Sequence, residues 1–180
     1  MDIRFATTNP RKFATAQAAF ETHGLKLHCT EVEFIEPQDD DIGEIVRAKL
    51  AQASNPTAIT VVEDTAIGFG ALNGFPGPYV KYAIATLGCS GLLRLLAQQT
   101  DRTVTIDSVC GAQLPGGHGK LIFERTVRSC YRVTTNPTST AGKGWSDIWQ
   151  ILRLDPSTPE RERMEPNSLE KMAQTLSGLK

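Results

Sequence analysis

Apolar residues recur at helical spacing in four segments of the chain. In the first, Phe13, Ala16 and Phe20 lie on one face of a helix predicted over 11–24, with Gly24 as its stop. The second helix is predicted over 44–54. The segment 79–100 is apolar enough for one or two helices, and the last helix spans 167–178 with Asn167 as its N-cap.

Strands are predicted where apolar and β-branched residues alternate or run together. Six segments have this character: 2–9, where a short strand runs into a polar turn, 25–34, 58–64, 103–114, 120–133 and 146–154. The fourth and fifth are expected to pair around a turn at 115–119, and Gly and Pro mark a long loop at 68–78. The polar loop at 134–144 is the strongest candidate for a mobile segment.

Strands that alternate with helices predict a mixed α/β fold, organised as a single domain over residues 1–180. Apolar residues make up 40% of the 180 positions, which is ordinary for a globular protein. With 19 basic and 20 acidic side chains, no overall positive field favours nucleic acid. An anionic ligand must therefore be held by a local group of cations.

Neither a signal-peptide segment nor a membrane-spanning run is present in the sequence. The four cysteines form no CxxC pair and have no ligand spacing with the three histidines. We therefore expect a cytoplasmic protein with free thiols, and no membrane partner.

A polar group lies between the first strand and the first helix, at Thr7, Thr8, Asn9, Arg11 and Lys12. A helix N-terminus offers backbone N–H groups and a positive dipole end, so this segment is a candidate phosphate cradle. The alternative is an ordinary helix cap with solvated cations.

Acidic residues form a second group, in two places. One loop carries Glu36 and residues 39–41, while Glu63 and Asp64 follow a buried apolar run. Mg²⁺ needs only one or two carboxylates and completes its shell with water and substrate phosphates. For residues 39–41 a solvated acidic loop is favoured, whereas the apolar run before Glu63 weakens that explanation for the pair.

The third group, Tyr79 and Lys81, follows the Gly/Pro loop. Lys81 is a candidate for a second phosphate contact and Tyr79 for packing on a sugar or base; a surface lysine and a core aromatic are equally compatible. Together the three groups favour metal-assisted chemistry on a polyphosphate. P-loop, dinucleotide-binding and GxSxG motifs are missing from the sequence.

Two segments carry a resemblance to a known family. Residues 5–13, "FATTNPRKF", resemble the T-G-N-x-x-K opening of the inosine/xanthosine triphosphate pyrophosphatases. Residues 61–83, "VVEDTAIGFGALNGFPGPYVKYA", resemble that family's most distinctive segment, and the order of elements agrees along essentially the whole chain.

The resemblance implies an elongated mixed-sheet α/β domain with two lobes flanking a central nucleotide cleft, usually in a homodimer. It implies hydrolysis of ITP, dITP or XTP to the monophosphate and pyrophosphate with Mg²⁺, or with Mn²⁺ in its place. Thr7, Asn9, Lys12 and Lys81 would then contact the triphosphate. Glu36 and Asp64 would bind the metal, and either Glu63 or Asp64 would orient or deprotonate the attacking water.

The C-terminal part departs from the family pattern. Ser146 replaces the aspartate of a Gly-aromatic-Asp-Pro turn, and Glu170, Lys171 and Met172 replace Ser-His-Arg on the last helix. A methionine cannot donate the hydrogen bond by which the arginine recognises a 6-keto base. The substrate-binding residues expected here are Lys143, Gly144, Trp145, Ser146 and Lys171.

Three functions remain open from the sequence. The first is a pyrophosphatase for ITP, dITP or XTP, and the second is the same reaction with an altered base preference. The third is a nucleotide-binding module without catalysis, against which the Glu63–Asp64 pair and Lys12 count.

Overall fold

The computed structural model describes residues 1–116, 120–134 and 145–179, without the side chains of 145 and 146. Its strands are β1 (Ile3–Ala6), β2 (Leu27–Thr30), β3 (Ile59–Phe69), β4 (Pro76–Gly77), β5 (Thr103–Gln113), β6 (Leu121–Val133) and β7 (Leu152–Leu154). Its helices are α1 (Pro10–Glu21), α2 (Ile42–Ala53), α3 (Val80–Leu95), α4 (Glu160–Arg163) and α5 (Ser168–Ser177), with 3₁₀ turns at Gly70–Leu72 and Trp145–Gln150.

The strands form one seven-stranded mixed sheet in the order β2-β1-β3-β5-β6-β7, with β4 paired to β3. β1 runs parallel to both β2 and β3, while β4 and β7 are antiparallel to their partners. The predicted mixed α/β fold is confirmed. None of the described helices is long and apolar enough to cross a membrane.

The chain folds into two compact units, and β3, β5 and β6 each pass through both. The first unit comprises residues 1–64, 108–126 and 166–180, and the second comprises 65–107 and 127–165. In the first, α1 and α5 cover β1 and β3, and Phe5, Phe20 and Met172 are fully buried in its core. In the second, α3 and the 3₁₀ turn at 145–150 bury a core that includes Phe69, Leu92 and Ile148.

Helix α3 is interrupted at Gly88, whose φ of 64° lies in the left-handed region. Most side chains are strained in that conformation, which glycine adopts readily, so the residue divides the apolar segment into two helical pieces. The expectation of one or two helices over 79–100 thus has a structural explanation.

Three sequence predictions of strand length were wrong. The second strand ends at Thr30, whereas β3 continues past Asp64 to Phe69 because β4 pairs with its far end at Ile67 and Gly68. The strand predicted over 146–154 is a 3₁₀ turn followed by the three residues of β7. The middle of the predicted turn, 117–119, and residues 135–144 of the proposed mobile loop lie outside the described residues.

Candidate active site

Glu63 and Asp64 lie within β3, immediately beyond the point where its neighbour β1 ends. The parallel register pairs Phe5 with Val61, so Glu63 lies level with Thr7 in the loop that leaves β1. The prediction that the two acids end a strand was wrong, yet β1 does end beside them. This leaves room for side chains of the β1–α1 loop to approach the two carboxylates.

Lys12 enters this space from the first turn of α1. Its Nζ lies 2.8 Å from Glu63 Oε2 and 3.5 Å from Asp64 Oδ1, and 3.4 Å from the backbone oxygen of Glu63. The three distances place the ammonium beside the peptide that joins the two acids. One cation therefore reduces the repulsion between both carboxylates.

The charge of Lys12 is maintained against burial. Burial lowers the pKa of the Lys12 ammonium, but the charges of Glu63 and Asp64 together with their hydrogen bonds raise it further, to a net value above the ordinary one. Lys12 is consequently a fixed positive charge throughout the physiological pH range.

The loop before α1 is organised by its own hydrogen bonds. Asn9 Oδ1 accepts from the backbone N–H groups of Arg11 and Lys12, at 3.0 and 3.2 Å, and the Asn9 N–H donates to Thr7 Oγ1 at 3.0 Å. The helix-cap interpretation is therefore correct for Asn9. Lys12 in the first turn is not a solvated cation, however, because its ammonium lies against the two acids.

Lys49, on α2, is a second cation at the site and was missed in the sequence. Its side chain is only 6% exposed, and its Nζ lies 2.9 Å from Glu36 Oε1 and 3.3 Å from Asp64 Oδ2. The ring centroid of Phe34 is 5.7 Å from the same nitrogen. Asp64 thus contacts Lys12 through one oxygen and Lys49 through the other.

A signal for Lys49 was present in the helical pattern. The buried positions of α2 are Ile42, Ile45, Val46, Lys49 and Leu50, which form one face of a helix. A lysine on such a face is buried only when paired with carboxylates. The apolar periodicity of α2 therefore indicates that Lys49 is paired with acidic side chains.

Gly111 of β5 allows α2 to lie directly on the sheet. A Cβ built on Gly111 would be 2.6 Å from Val46 Cγ1 and 2.9 Å from Leu50 Cδ1. Any side chain there would push the helix away, and Lys49 lies on the same face of α2. The close packing thus fixes the distance between Lys49 and the carboxylates.

Two serines lie beside Glu63, and no local sequence pattern indicates either of them. Ser108 Oγ on β5 lies 2.9 Å from Glu63 Oε1, and Ser168 Oγ at the start of α5 lies 2.6 Å from Ser108 Oγ. Ser168 is fully buried. Both oxygens of the Glu63 carboxylate therefore have partners, Lys12 on one side and Ser108 on the other.

Asp39 and Asp41, in the acidic loop at 39–41, have local structural roles. Asp41 caps α2 by accepting from the Gly43 N–H, and Asp39 accepts from the Asp41 N–H. Asp41 also lies 3.5 Å from Arg125. The interpretation of this loop as solvated rather than metal-binding stays a prediction.

The remaining predicted site residues are distributed along the chain. Thr8 is exposed in the β1–α1 loop, while Tyr79 and Lys81 belong to the second unit, where Tyr79 precedes α3 and Lys81 is exposed in its first turn. Lys143 and Gly144 lie outside the described residues. Trp145 and Ser146 begin a 3₁₀ turn.

On α5, Lys171 and Met172 have different surroundings. Lys171 is partly buried, whereas Met172 is fully buried among the apolar residues of the first core. Met172 is therefore a packing residue, and its position offers no side-chain contact to a base. An arginine placed there would bury its charge in this core.

The donor chemistry of the site fits a magnesium ion. Glu36 and Asp64 each direct one oxygen to the ammonium group of Lys49, so both carboxylates already lie around a single positive charge. Within the described residues, no group of three or more His, Cys, Asp or Glu side chains is placed to hold a metal. Mg²⁺ does not require such a group, because water and substrate phosphates supply its other ligands.

Comparison with known proteins identifies the family. The family model described as "Ham1 family" matches residues 3–180. The chain belongs to the Ham1 family. It is 32% identical over 151 residues to a dITP/XTP pyrophosphatase of Methanopyrus kandleri, covering 83% of this chain and 78% of that protein.

A relative from Trypanosoma cruzi, named inosine triphosphate pyrophosphatase 1, is 30% identical over an alignment of 183 residues. The alignment covers 99% of this chain and 90% of that one. The Ham1 protein structure from Staphylococcus aureus matches with a TM-score of 0.66 at 17% identity and covers both chains completely. A HAM1 protein from Coxiella burnetii gives a TM-score of 0.65 at 17% identity, covering 99% of this chain and 98% of that one. The resemblance stated from the sequence motifs is thus confirmed, and so is the mixed α/β fold.

Proposed function

We propose that this Ham1-family chain hydrolyses non-canonical purine nucleoside triphosphates, namely ITP, dITP or XTP, to the monophosphate and pyrophosphate. The observation that carries the proposal is the Glu63–Asp64 pair, held by Lys12 and Lys49 at the end of β1. The names of the relatives support the substrate class, because they are dITP/XTP and inosine triphosphate pyrophosphatases. Removing such triphosphates would protect the nucleotide pool.

The two acids are suited to different tasks. Both Glu63 oxygens have close partners, at 2.8 and 2.9 Å, so this carboxylate is fixed in orientation. The distances from Asp64 to the two lysines are longer, 3.5 Å to Lys12 and 3.3 Å to Lys49. We assign Glu63 to orienting the attacking water, and Asp64 to metal binding with proton acceptance as its second role.

The cations are suited to the triphosphate. Lys12 keeps its charge, and a fixed ammonium stabilises the negative charge that develops when water attacks the α-phosphorus. Thr7 and Asn9 lie in the loop beside it, where hydroxyl and amide groups can donate to phosphate oxygens. Lys81 is a further proposed contact to the triphosphate.

Glu36 and Asp64 are the residues that would hold Mg²⁺, or Mn²⁺ in its place. The ion, when bound, would neutralise phosphate charge and so favour departure of pyrophosphate. The carboxylates serve this role through hard oxygen atoms. A homodimer and a cytoplasmic location are part of the same proposal.

The base preference is proposed to depend on groups other than Met172, because that side chain is buried in the core. Lys171, its partly buried neighbour, retains a donor that can face a 6-keto oxygen. Lys171→Met should therefore lower the ratio of kcat/KM for ITP over ATP. An unchanged ratio would remove Lys171 from the base site.

The experiment that tests the function is a panel of triphosphates assayed with Mg²⁺ for pyrophosphate and for phosphate separately. The panel contains ITP, dITP, XTP, ATP, GTP and a modified pyrimidine triphosphate. We expect pyrophosphate from the first three, and about 10³-fold slower release or less from Asp64→Asn prepared identically, which controls for contaminating enzymes. Release of phosphate alone, or binding without any release, would contradict the proposal.

A further inference from the structure

A line of three side chains connects the last helix to the candidate catalytic acid. Ser168 Oγ lies 2.6 Å from Ser108 Oγ, and Ser108 Oγ lies 2.9 Å from Glu63 Oε1. The three residues come from α5, β5 and β3, so the line depends on the tertiary fold. Lys12 binds the opposite oxygen of Glu63 at 2.8 Å.

The direction of each hydrogen bond follows from the chemistry of the groups. An ionised carboxylate can only accept, so the hydroxyl hydrogen of Ser108 is donated to Glu63. A serine hydroxyl has one hydrogen, and Ser108 must therefore accept from Ser168. Each bond polarises the next in such a chain, which strengthens the contact to the carboxylate.

The outer end of the line is firmly held. Ser168 is the first residue of α5, directly after Asn167, whose side chain accepts from the Glu170 N–H at 3.0 Å. Glu170 in turn accepts from the Asn167 N–H, which completes a capping box. The start of α5, and with it the Ser168 hydroxyl, is thus fixed by local bonds.

We propose that Ser108 is a positioning residue for Glu63, and that Ser168 supports it by fixing the direction of its hydroxyl hydrogen. The proposal rests on the function proposed above, in which Glu63 orients the attacking water. Ser108 and Lys12 hold the carboxylate from its two oxygens. Loss of Ser108 removes the contact to Oε1, and the carboxylate can then rotate away from the orientation that water attack requires.

A different explanation is that the serines form a satisfied polar pair that only stabilises the fold. The two explanations differ in kinetics. A structural pair affects stability alone, whereas a positioning residue changes kcat with little change in KM, and its effect disappears when Glu63 has already lost its charge.

The test uses the full chain with ITP and Mg²⁺. We expect Ser108→Ala to lower kcat by roughly 10- to 100-fold, as is typical when an orienting partner is lost, and KM to change by less than about two-fold. Ser108→Thr keeps the hydroxyl and should restore most of kcat. Ser168→Ala leaves the Ser108–Glu63 bond in place and should cost only roughly two- to five-fold.

Two further variants keep the test decisive if Ser108→Ala is unstable. Ser108→Ala/Ser168→Ala removes both hydroxyls, so the buried Ser168 hydroxyl is not left without its partner Ser108, and this variant should fold better than Ser108→Ala while kcat stays as low. Ser129→Ala is a matched control on β6, because Ser129 lies 3.3 Å from Thr105 in another hydroxyl pair. It should leave kcat unchanged.

The outcomes separate this inference from the proposed function. If the wild-type chain releases no pyrophosphate from any triphosphate, the proposed function fails and the inference fails with it. If the wild type is active and folded Ser108→Ala keeps more than half of its kcat, only the inference fails. It also fails if adding Ser108→Ala to Glu63→Gln lowers kcat as much as it does in the wild type.

Discussion

Helices α1 and α5 both begin after an asparagine cap, yet their first turns carry opposite charges. The third helical position is Lys12 in α1 and Glu170 in α5. In α5, Glu170 accepts from the N–H of its own cap residue, Asn167, which gives the usual reciprocal box. In α1, the N–H of Asn9 donates to Thr7 instead.

The difference shows how one helix start is made structural and another functional. Because Thr7 satisfies the cap N–H, the third position of α1 does not need an acid and can hold Lys12. A cation near a helix N-terminus is unfavourable by about 0.3–1 kcal/mol. Glu63 and Asp64 offset that cost, and a local conflict of this kind is typical of functional sites.

The largest effect is expected at the acids that face Lys12. Asp64→Asn should lower kcat by about 10³-fold or more, because an amide keeps the shape but loses the charge and the ability to take a proton. Folding should change little, since Lys12 keeps Glu63 at 2.8 Å and Lys49 keeps Glu36 at 2.9 Å.

Turnover with ITP and the thermal midpoint check both parts of this prediction. Asp41→Asn is the matched control, because asparagine is an equally good helix cap and Asp41 lies outside the proposed site. A folded Asp64→Asn chain with more than about a tenth of wild-type kcat would remove Asp64 from the chemistry.

A smaller effect is expected for the cation itself. Lys12→Met should raise the transition-state free energy by about 2–4 kcal/mol, and so lower kcat/KM, for every triphosphate alike, because the ammonium acts on phosphates. Glu170→Gln is the counterpart at the same position of α5. It keeps the capping box, and its kcat/KM should stay within about two-fold of the wild-type value. A change in the ranking of ITP against ATP in Lys12→Met would contradict the phosphate assignment.

The sequence predicted one side of the site better than the other for a physical reason. Lys12, Asn9 and Thr7 are neighbours in the chain, and a short motif contains them all. Lys49 and its partner Asp64 come from separate elements, so that only the buried helical face signalled the lysine. Ser108 and Ser168 meet only through the fold, and no local pattern predicts a contact between residues so far apart.

The same reasoning applies to the secondary structure. The four longer helices were predicted, because their periodicity and caps are local, as at Asn167, whereas the one-turn helix α4 was not predicted. Strand ends were not, because pairing decides them: β3 extends to Phe69 where β4 pairs with it. Met172 was interpreted from its place in a motif, but its surroundings are set by the packing of α5 on the first core.

The two caps should differ modestly in their contribution to stability. Asn9→Ala removes the acceptor for two backbone N–H groups, and we expect a loss of about 1 kcal/mol. Asn167→Ala breaks a reciprocal box and should cost slightly more, about 1–2 kcal/mol. Urea unfolding of both variants measures the difference, and equal values below about 0.3 kcal/mol would show that neither helix start depends on its asparagine.

The smallest effect concerns the alkaline pH dependence of stability at the α1 end. Burial lowers the pKa of Lys12, but Glu63 and Asp64 raise it above the ordinary value in the folded chain. A raised folded-state pKa gives stability that is complete below the unfolded pKa of about 10.4 and is lost as the pH rises toward the folded value. The free energy of unfolding of the wild type, minus that of Lys12→Met, should therefore be constant between pH 7 and about pH 9.5 and should fall above it.

Urea unfolding at a series of pH values measures this difference, with the exposed residue Lys26 substituted by Met as a control that changes stability by less than about 0.5 kcal/mol. A difference that already falls between pH 7 and 9 would mean that the two carboxylates do not hold Lys12 in its charged form, and the contrast between the two helix starts would then lose its electrostatic basis.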